Sequence, residues 1–169
     1  NANVTVNGTL SGADGASTFT FNGSTFTNNG SSVTVPNFNF GNGSTLAQTL
    51  TGTGSFSSNT ATILSGSTLT MGSDHQMSSL VLNFGGTMDI TARTLSLSGS
   101  GTPLTNNGTL TTTGSTIAYN GSSAQTVATD NVDYNNLTIN NAARVSLSAA
   151  ETVSGTLTLT NGKITTTAS

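Results

Sequence analysis

Residues 134–162 read YNNLTINNAARVSLSAAETVSGTLTLTNG, and two triplets within them, Leu137-Thr-Ile139 and Leu157-Thr-Leu159, stand twenty residues apart. Each sets apolar residues at its first and third positions around a threonine, the period-two alternation of a strand with one buried side. Val145-Ser-Leu147 repeats the pattern between them. The joins carry Asn140-Asn141, Ser154-Gly155 and Asn161-Gly162, residue types that enter left-handed turn conformations at low cost. Short strands that bend away and return at a fixed interval predict a coil. Hairpins would give turn signals every 8–12 residues but no threefold register at about twenty.

The same triplet recurs outward from this stretch, as Val4-Thr-Val6, Phe19-Thr-Phe21, Val33-Thr-Val35, Phe38-Asn-Phe40, Leu69-Thr-Met71 and Leu95-Ser-Leu97, and no segment has helical spacing. Taken three to a coil, the triplets fall into columns. One column runs through Leu10, Phe26, Leu46, Leu69, Leu95, Ile117, Leu137 and Leu157. A second runs from Phe19/Phe21 and Phe38/Phe40 through Ile63, Met88/Ile90, Leu110 and Val132 to Val153. A third runs from Val33/Val35 and Phe56 through Leu80/Leu82, Leu104, Val127 and Val145/Leu147 to Ile164. The expected fold is all-β: a parallel β-helix, or β-solenoid, of three short strands per coil and about eight coils around a triangular apolar core. Eight rungs at ~4.8 Å give a rod of roughly 35–40 Å. Residues 1–169 read as a single β-solenoid domain, equally suited to being a segment of, or a subunit in, a longer stack.

Ahead of the first column stand Thr9, Thr25, Thr45, Thr68, Thr94, Thr116, Asn136 and Thr156, which the assumed register places in one outward ladder. β-Branched residues suit that position. All seven Phe lie between Phe19 and Phe84, which predicts a wider core near the N-terminus, filled by stacked rings.

The stretch from Tyr134 through Val145-Ser-Leu147 to Gly162 resembles the repeats of large bacterial β-strand-repeat surface proteins and autotransporter-like adhesins. The resemblance covers the last fifty residues and persists upstream in Asn-Gly-Thr-Leu at 7–10 and 107–110. It implies a secreted, cell-surface β-helix, and it carries over no ligand and no functional residue.

Composition narrows the function. Ser, Thr and Asn form nearly half of the chain, only 5% is charged and the net charge is −3, so the usual disorder signature of low hydrophobicity with high charge is not met. Arg93, Arg144 and Lys163 are too scattered to neutralise a phosphate backbone, which argues against nucleic acid. The longest strongly apolar run, Leu80-Val81-Leu82, is far short of the roughly 20 residues of a spanning helix, so no membrane span is expected. The start at Asn1, without a leader, reads as a mature or excised segment. Without cysteine there is no disulfide framework and no thiolate metal site.

Catalysis on a β-helix needs acids clustered in one groove. Asp14, Asp74, Asp89, Asp130, Asp133 and Glu151 are instead dispersed; Asp130 and Asp133 read as a solvated turn, and the single His75 as an exposed loop residue. One His beside one Asp falls short of a zinc site, and no Gly-x-Ser-x-Gly elbow leads to a base. No enzyme, catalytic residue, metal or cofactor is therefore expected. Sequons at Asn3, Asn7, Asn22, Asn29, Asn42, Asn107, Asn120 and Asn136 arise where Asn turns enter Thr-rich strands.

The leading expectation is an extracellular structural protein, a subunit of a filament or sheath or the stalk of a surface adhesin. It would assemble with itself, or with neighbouring repeats, by end-to-end stacking through terminal coils that carry Val4, Val6, Leu10, Leu157, Leu159 and Ile164. Two alternatives follow from other features. One is ice binding on the threonine ladder; the other is carbohydrate binding, resting on the family resemblance and the Phe-rich region.

Overall fold

The computed structural model describes residues 2–13, 15–30, 32–57 and 60–166, and among them the chain is a succession of strands without a helix. The first coil holds β1 (Val4–Val6), β2 (Thr9–Ser11) and β3 (Thr18–Phe21), and the second β4 (Thr25–Asn28), β5 (Ser32–Thr34) and β6 (Asn37–Phe40). The third holds β7 (Leu46–Thr51), β8 (Ser55–Phe56) and β9 (Thr60–Ile63), and the fourth β10 (Ser67–Met71), β11 (His75–Met77) and β12 (Leu80–Leu82). The fifth holds β13 (Thr87–Asp89), β14 (Thr94–Leu97) and β15 (Leu104–Asn106), and the sixth β16 (Thr109–Thr111), β17 (Thr116–Tyr119) and β18 (Gln125–Val127). The seventh has β19 (Asn136–Asn140) and β20 (Val145–Leu147), and the last β21 (Leu157–Asn161) and β22 (Ile164–Thr166).

Each strand lies on its counterpart one coil earlier, and every pairing is parallel. The first face is the sheet β1-β4-β7-β10-β13-β16, continued in the last coils by a single bridge from Tyr134 to Val153. The second face is unbroken from β2 to β21. The third runs from β3 to β15, is held by one bridge between Gly101 and Gln125, and resumes as β18-β20-β22. The protein is thus a parallel β-solenoid of about eight turns with about three strands per coil. Among the described residues no helix is long and apolar enough to cross a membrane.

All three expected columns change face within the first five coils: the second starts on the third face at Phe19/Phe21, Phe38/Phe40 and Ile63 before moving to the first at Met88, and the third starts on the second face at Val33 and Phe56 before moving to the third at Leu80/Leu82. Phe26, Leu46 and Leu69 belong to the first face, while Val33, Phe56 and Met77 carry the second. The cause is coil length. Leu10 pairs with Val33 and Val33 with Phe56, steps longer than the twenty residues that separate Leu137 from Leu157. A fixed step of twenty therefore slides one face along. Within β7 the buried residues are Gln48 and Leu50, while Leu46, in the same phase, is only half-buried: Leu50 lies on Phe26, and Leu69 lies on Gln48.

Rings fill the wide end as expected. Phe38 contacts Phe19 and Phe26 at 5.1 Å, Phe40 at 4.8 Å and Phe56 at 5.3 Å between centroids. Offset and edge-to-face arrangements of this kind add to the burial energy. Phe84 is the exception, at a loop tip and 86% exposed. Farther along, Tyr119 and Tyr134 take over as the large fillers. Tight stacking leaves little room at the corners: Gly52 has φ +95°, and a Cβ there would run into the Asn28 carbonyl one coil earlier.

Candidate functional surfaces

The terminal coils lie where the register requires. Val4 and Val6 on β1 and Leu10 on β2 are half-buried at one end, and Ile164 on β22 is half-buried at the other. Leu157 and Leu159 sit directly on Leu137 and Ile139, the inward positions of the second face, yet they are 49% and 53% exposed. Among the described residues β21 has a strand partner on one edge only, and so do β22, β1, β2 and β3. Among the described residues the first and last coils therefore carry strand edges without a partner beside partly buried apolar side chains.

The threonines form two sets rather than one ladder. On the second face Thr9 pairs with Ser32; Thr94 pairs with Thr116 and Thr116 with Asn136, and the Thr156 N–H donates to Asn136 Oδ1 at 2.9 Å. Thr25 and Thr68 lie on the first face in different rows, and Thr45 precedes its strand. The coil-length variation that displaced the columns divides the ladder too.

A denser array lies on the first face. One row runs Thr25, Thr49, Thr70, Asp89, Thr111. A second runs Thr5, Thr27, Thr51, with the last two hydroxyls 3.0 Å apart, and a third runs Thr68, Thr87, Thr109. The Thr-x-Thr pairs flank buried Phe26, Leu50 and Leu69 or, half-buried, Leu110, so both hydroxyl residues of a pair point outward, and Thr87 and Asp89 flank buried Met88 in the same way. Rows stand ~7 Å apart along a strand and their members ~4.8 Å apart between coils.

The interior holds polar groups that a strand pattern does not reveal. The Gln48 side chain donates to the carbonyls of Phe21 and Gly23 at 2.8 and 3.0 Å, and Gln125 donates to those of Leu97 and Gly99 at 2.8 and 2.7 Å. Gln125 also accepts from Gly121 N–H and from Asn141 Nδ2. Each amide ties two corner carbonyls of an earlier coil, partners that offset the desolvation of burying it. Tyr134 donates to Ala128 O at 2.9 Å, Tyr119 Oη accepts from Ala128 N–H at 3.0 Å, and the two phenols are 2.8 Å apart. Burial pushes the Tyr119 hydroxyl up to about 12 and raises that of Tyr134 as well. Both phenols stay neutral and serve as core.

His75 is not the exposed loop residue expected from sequence. It is an inward member of β11, 3% exposed, with Nδ1 3.3 Å from Gly54 O and Nε2 3.2 Å from Ser73 Oγ. Its ring meets the edge of Phe56 at 6.0 Å. The alternation His75-Gln76-Met77 continues the strand, and the corner is Gly72-Ser73-Asp74 just before it. Burial lowers its pKa below 6.5, against the opposing pull of the Gly54 and Leu50 carbonyls and of Asp74. The unfolded chain therefore binds a proton more readily. Stability from the neutral ring is complete above pH ~6.5 and is lost as pH falls below that toward the folded pKa. Urea unfolding at pH 7.5 and 5.5 is expected to show lower stability in acid, and His75→Gln is expected to reduce that difference. An equal drop in the variant would assign it to other groups.

The acids remain dispersed. Asp74, Asp130 and Asp133 are exposed, and Asp14 lies outside the described residues. Burial, with a smaller contribution from Asp133, raises the Glu151 pKa. Among the described residues no group of three or more His, Asp or Glu could hold a metal ion. Where the third face is interrupted, a cleft of about 260 Å³ opens between Leu104–Asn107 and Thr126–Asp130. Six of the seven Phe rings face the core, which leaves Phe84 alone outside. No family model matches the chain, and no curated protein or solved structure matches it.

Proposed function

We propose that this chain is a non-catalytic structural protein of the cell exterior, a building block of a filament or sheath or of an adhesin stalk, extended by stacking coil upon coil. The observation that carries this reading is the half-exposed pair Leu157 and Leu159, inward residues that no further coil covers among the described residues. A further parallel coil is the cover that matches both the open edges and the apolar cross-section. Strand direction sets the polarity of a junction between copies. Only the last coil of one chain against the first coil of the next keeps the pairing parallel; two like ends would meet antiparallel. Such a head-to-tail contact does not close on itself and grows as a fibre. Low surface charge weakens the repulsion that would oppose bundling. The exterior location is supported by the Ser/Thr/Asn-rich composition and the resemblance to bacterial surface repeats. Electron microscopy and sedimentation of the intact chain are expected to show rods longer than one stack. Single stacks alone at high concentration would defeat the proposal.

A second reading is favoured by the first face. Its Thr-x-Thr rows make a regular, nearly uncharged array of hydroxyl and methyl groups, suited to holding water in an ordered sheet and so to binding ice. Thr70, exposed at the centre of the longest row, is the residue to alter. If the reading holds, the chain shapes ice crystals and produces thermal hysteresis, and Thr70→Tyr removes most of both. No hysteresis in the unmodified chain would dispose of it.

A further inference from the structure

We propose that Asn42 is a site of spontaneous covalent modification, converted through a cyclic imide to aspartate and isoaspartate faster than the other Asn-Gly pairs of the folded chain. The dipeptide occurs seven times, at Asn7, Asn22, Asn29, Asn42, Asn107, Asn120 and Asn161, so local sequence is nearly constant and structure decides among them. The reaction needs the backbone nitrogen of the following glycine to reach the Asn side-chain carbonyl carbon. In the folded chain most of these nitrogens are restrained. Gly108 N–H donates to Asn106 Oδ1 at 3.1 Å and Gly121 N–H to Gln125 Oε1 at 3.0 Å. Gly23, Gly30 and Gly162 are pressed onto the coil before them, where a Cβ would run into the carbonyls of Ala2, Gly8 and Asn141. Gly8 in turn carries Gly30 upon it.

Gly43 differs. It is exposed in the turn between β6 and β7, has φ +81°, and, like Gly8, has no atom beyond its two chain neighbours within 4 Å of the place a Cβ would occupy; unlike Gly8, it has no glycine of the next coil pressed against its carbonyl. Asn42 is also exposed, and its Oδ1 accepts the Ser44 N–H at 3.0 Å. That bond draws electrons from the Cγ carbonyl, the atom under attack, and holds the side chain over the following peptide.

The step balances with water as co-reactant. Gly43 N loses its proton and bonds to Asn42 Cγ, the Cγ–Nδ2 bond breaks, and the nitrogen leaves as ammonia with that proton. Water then opens the imide at either carbonyl, leaving at this position an ordinary aspartate, or an isoaspartate with the backbone running through the side-chain carbon. Each event adds one negative charge to a chain of net charge −3. No step restores the amide, so the mark accumulates with the age of the protein.

The test is incubation of the intact chain in mildly alkaline buffer, with peptide mapping by mass spectrometry and a chemistry that separates isoaspartate. Asn42 is expected to convert at least about tenfold faster than Asn107 and Asn120, whose turns must open before the nitrogen is free. In denaturant the sites are expected to converge, and Gly43→Ala is expected to slow conversion at residue 42. Equal rates at the three sites in the folded chain would overturn the proposal. So would a rate difference that survives in denaturant, or a Gly43→Ala variant that converts as fast as the original.

Discussion

Phe38→Ala is expected to lower the unfolding free energy by about 3–5 kcal/mol, the range for removing a buried ring whose surroundings cannot collapse. Phe38 is fully buried and touches four other rings, those of Phe19, Phe26, Phe40 and Phe56. The rings of Phe26, Phe40 and Phe56 hang from strands whose spacing is fixed by parallel hydrogen bonds above and below, and that of Phe19 from a strand paired on one side, so a neighbour cannot move inward without breaking a ladder. The void would therefore persist. Coils of a solenoid couple only to their neighbours, so the loss should be local. Amide exchange should accelerate first in coils one to three, while β17 and β19 remain protected. Denaturant unfolding and residue-resolved hydrogen exchange provide the two readouts. Phe84→Ala removes an exposed ring and should fall within about 0.5 kcal/mol of the original. A Phe38→Ala cost no larger than that of Phe84→Ala would mean that the rings do not form a close-packed core.

The contrast between these two phenylalanines shows what the sequence discloses. Alternation identifies Phe38-Asn-Phe40 as strand and places its rings inward, because a period of two is a local property of the backbone. Phe84 keeps the same phase, two residues after Leu82, yet its ring lies outside. The strand has already ended at Leu82, and Gly85, with φ +77°, turns the chain away, so the phase no longer dictates the side. The Gly85-Gly86 pair was the available sign of that turn. The coil as a whole was legible because turn residues and triplets recur together.

What was not legible depends on how many residues each corner consumes. Pairing Leu10 with Val33 rather than Phe26 requires the length of two turns that no triplet reports. The error carried directly into the threonines, since Thr25 and Thr68 follow their strands onto the first face. His75 and Gln48 were hidden differently. A polar residue at an inward position looks like a break in the pattern, and only the carbonyls of Gly54, Phe21 and Gly23, supplied by an earlier coil, make its burial tolerable. The available signal was the phase of the strand: His75 stands two before Met77, and Gln48 two before Leu50.

Leu157→Asp with Leu159→Asp is expected to abolish end-to-end assembly while leaving the stack folded. Both side chains are about half exposed already, so the isolated stack loses little burial and charges that remain in water cost it little. Docking changes the balance. A coil laid against β21 would enclose both positions in the apolar cross-section, and burying an unpaired carboxylate costs several kcal/mol after relaxation. Each leucine also forfeits the remaining half of its transfer energy, on the order of 1 kcal/mol. Together these exceed about 4 kcal/mol, or roughly a thousandfold in junction affinity. Sedimentation should then show single stacks at concentrations where the original chain forms rods, with an unchanged circular dichroism spectrum. Thr158→Asp is the control, because Thr158 lies between the two leucines on the same strand and points outward. It adds charge at the same end without placing it in the cross-section, and rods should persist. If rods survived the double aspartate substitution, the growing surface would not be this end of the solenoid; if Thr158→Asp abolished them as fully, charge at the rim rather than apolar contact between coils would hold the junction.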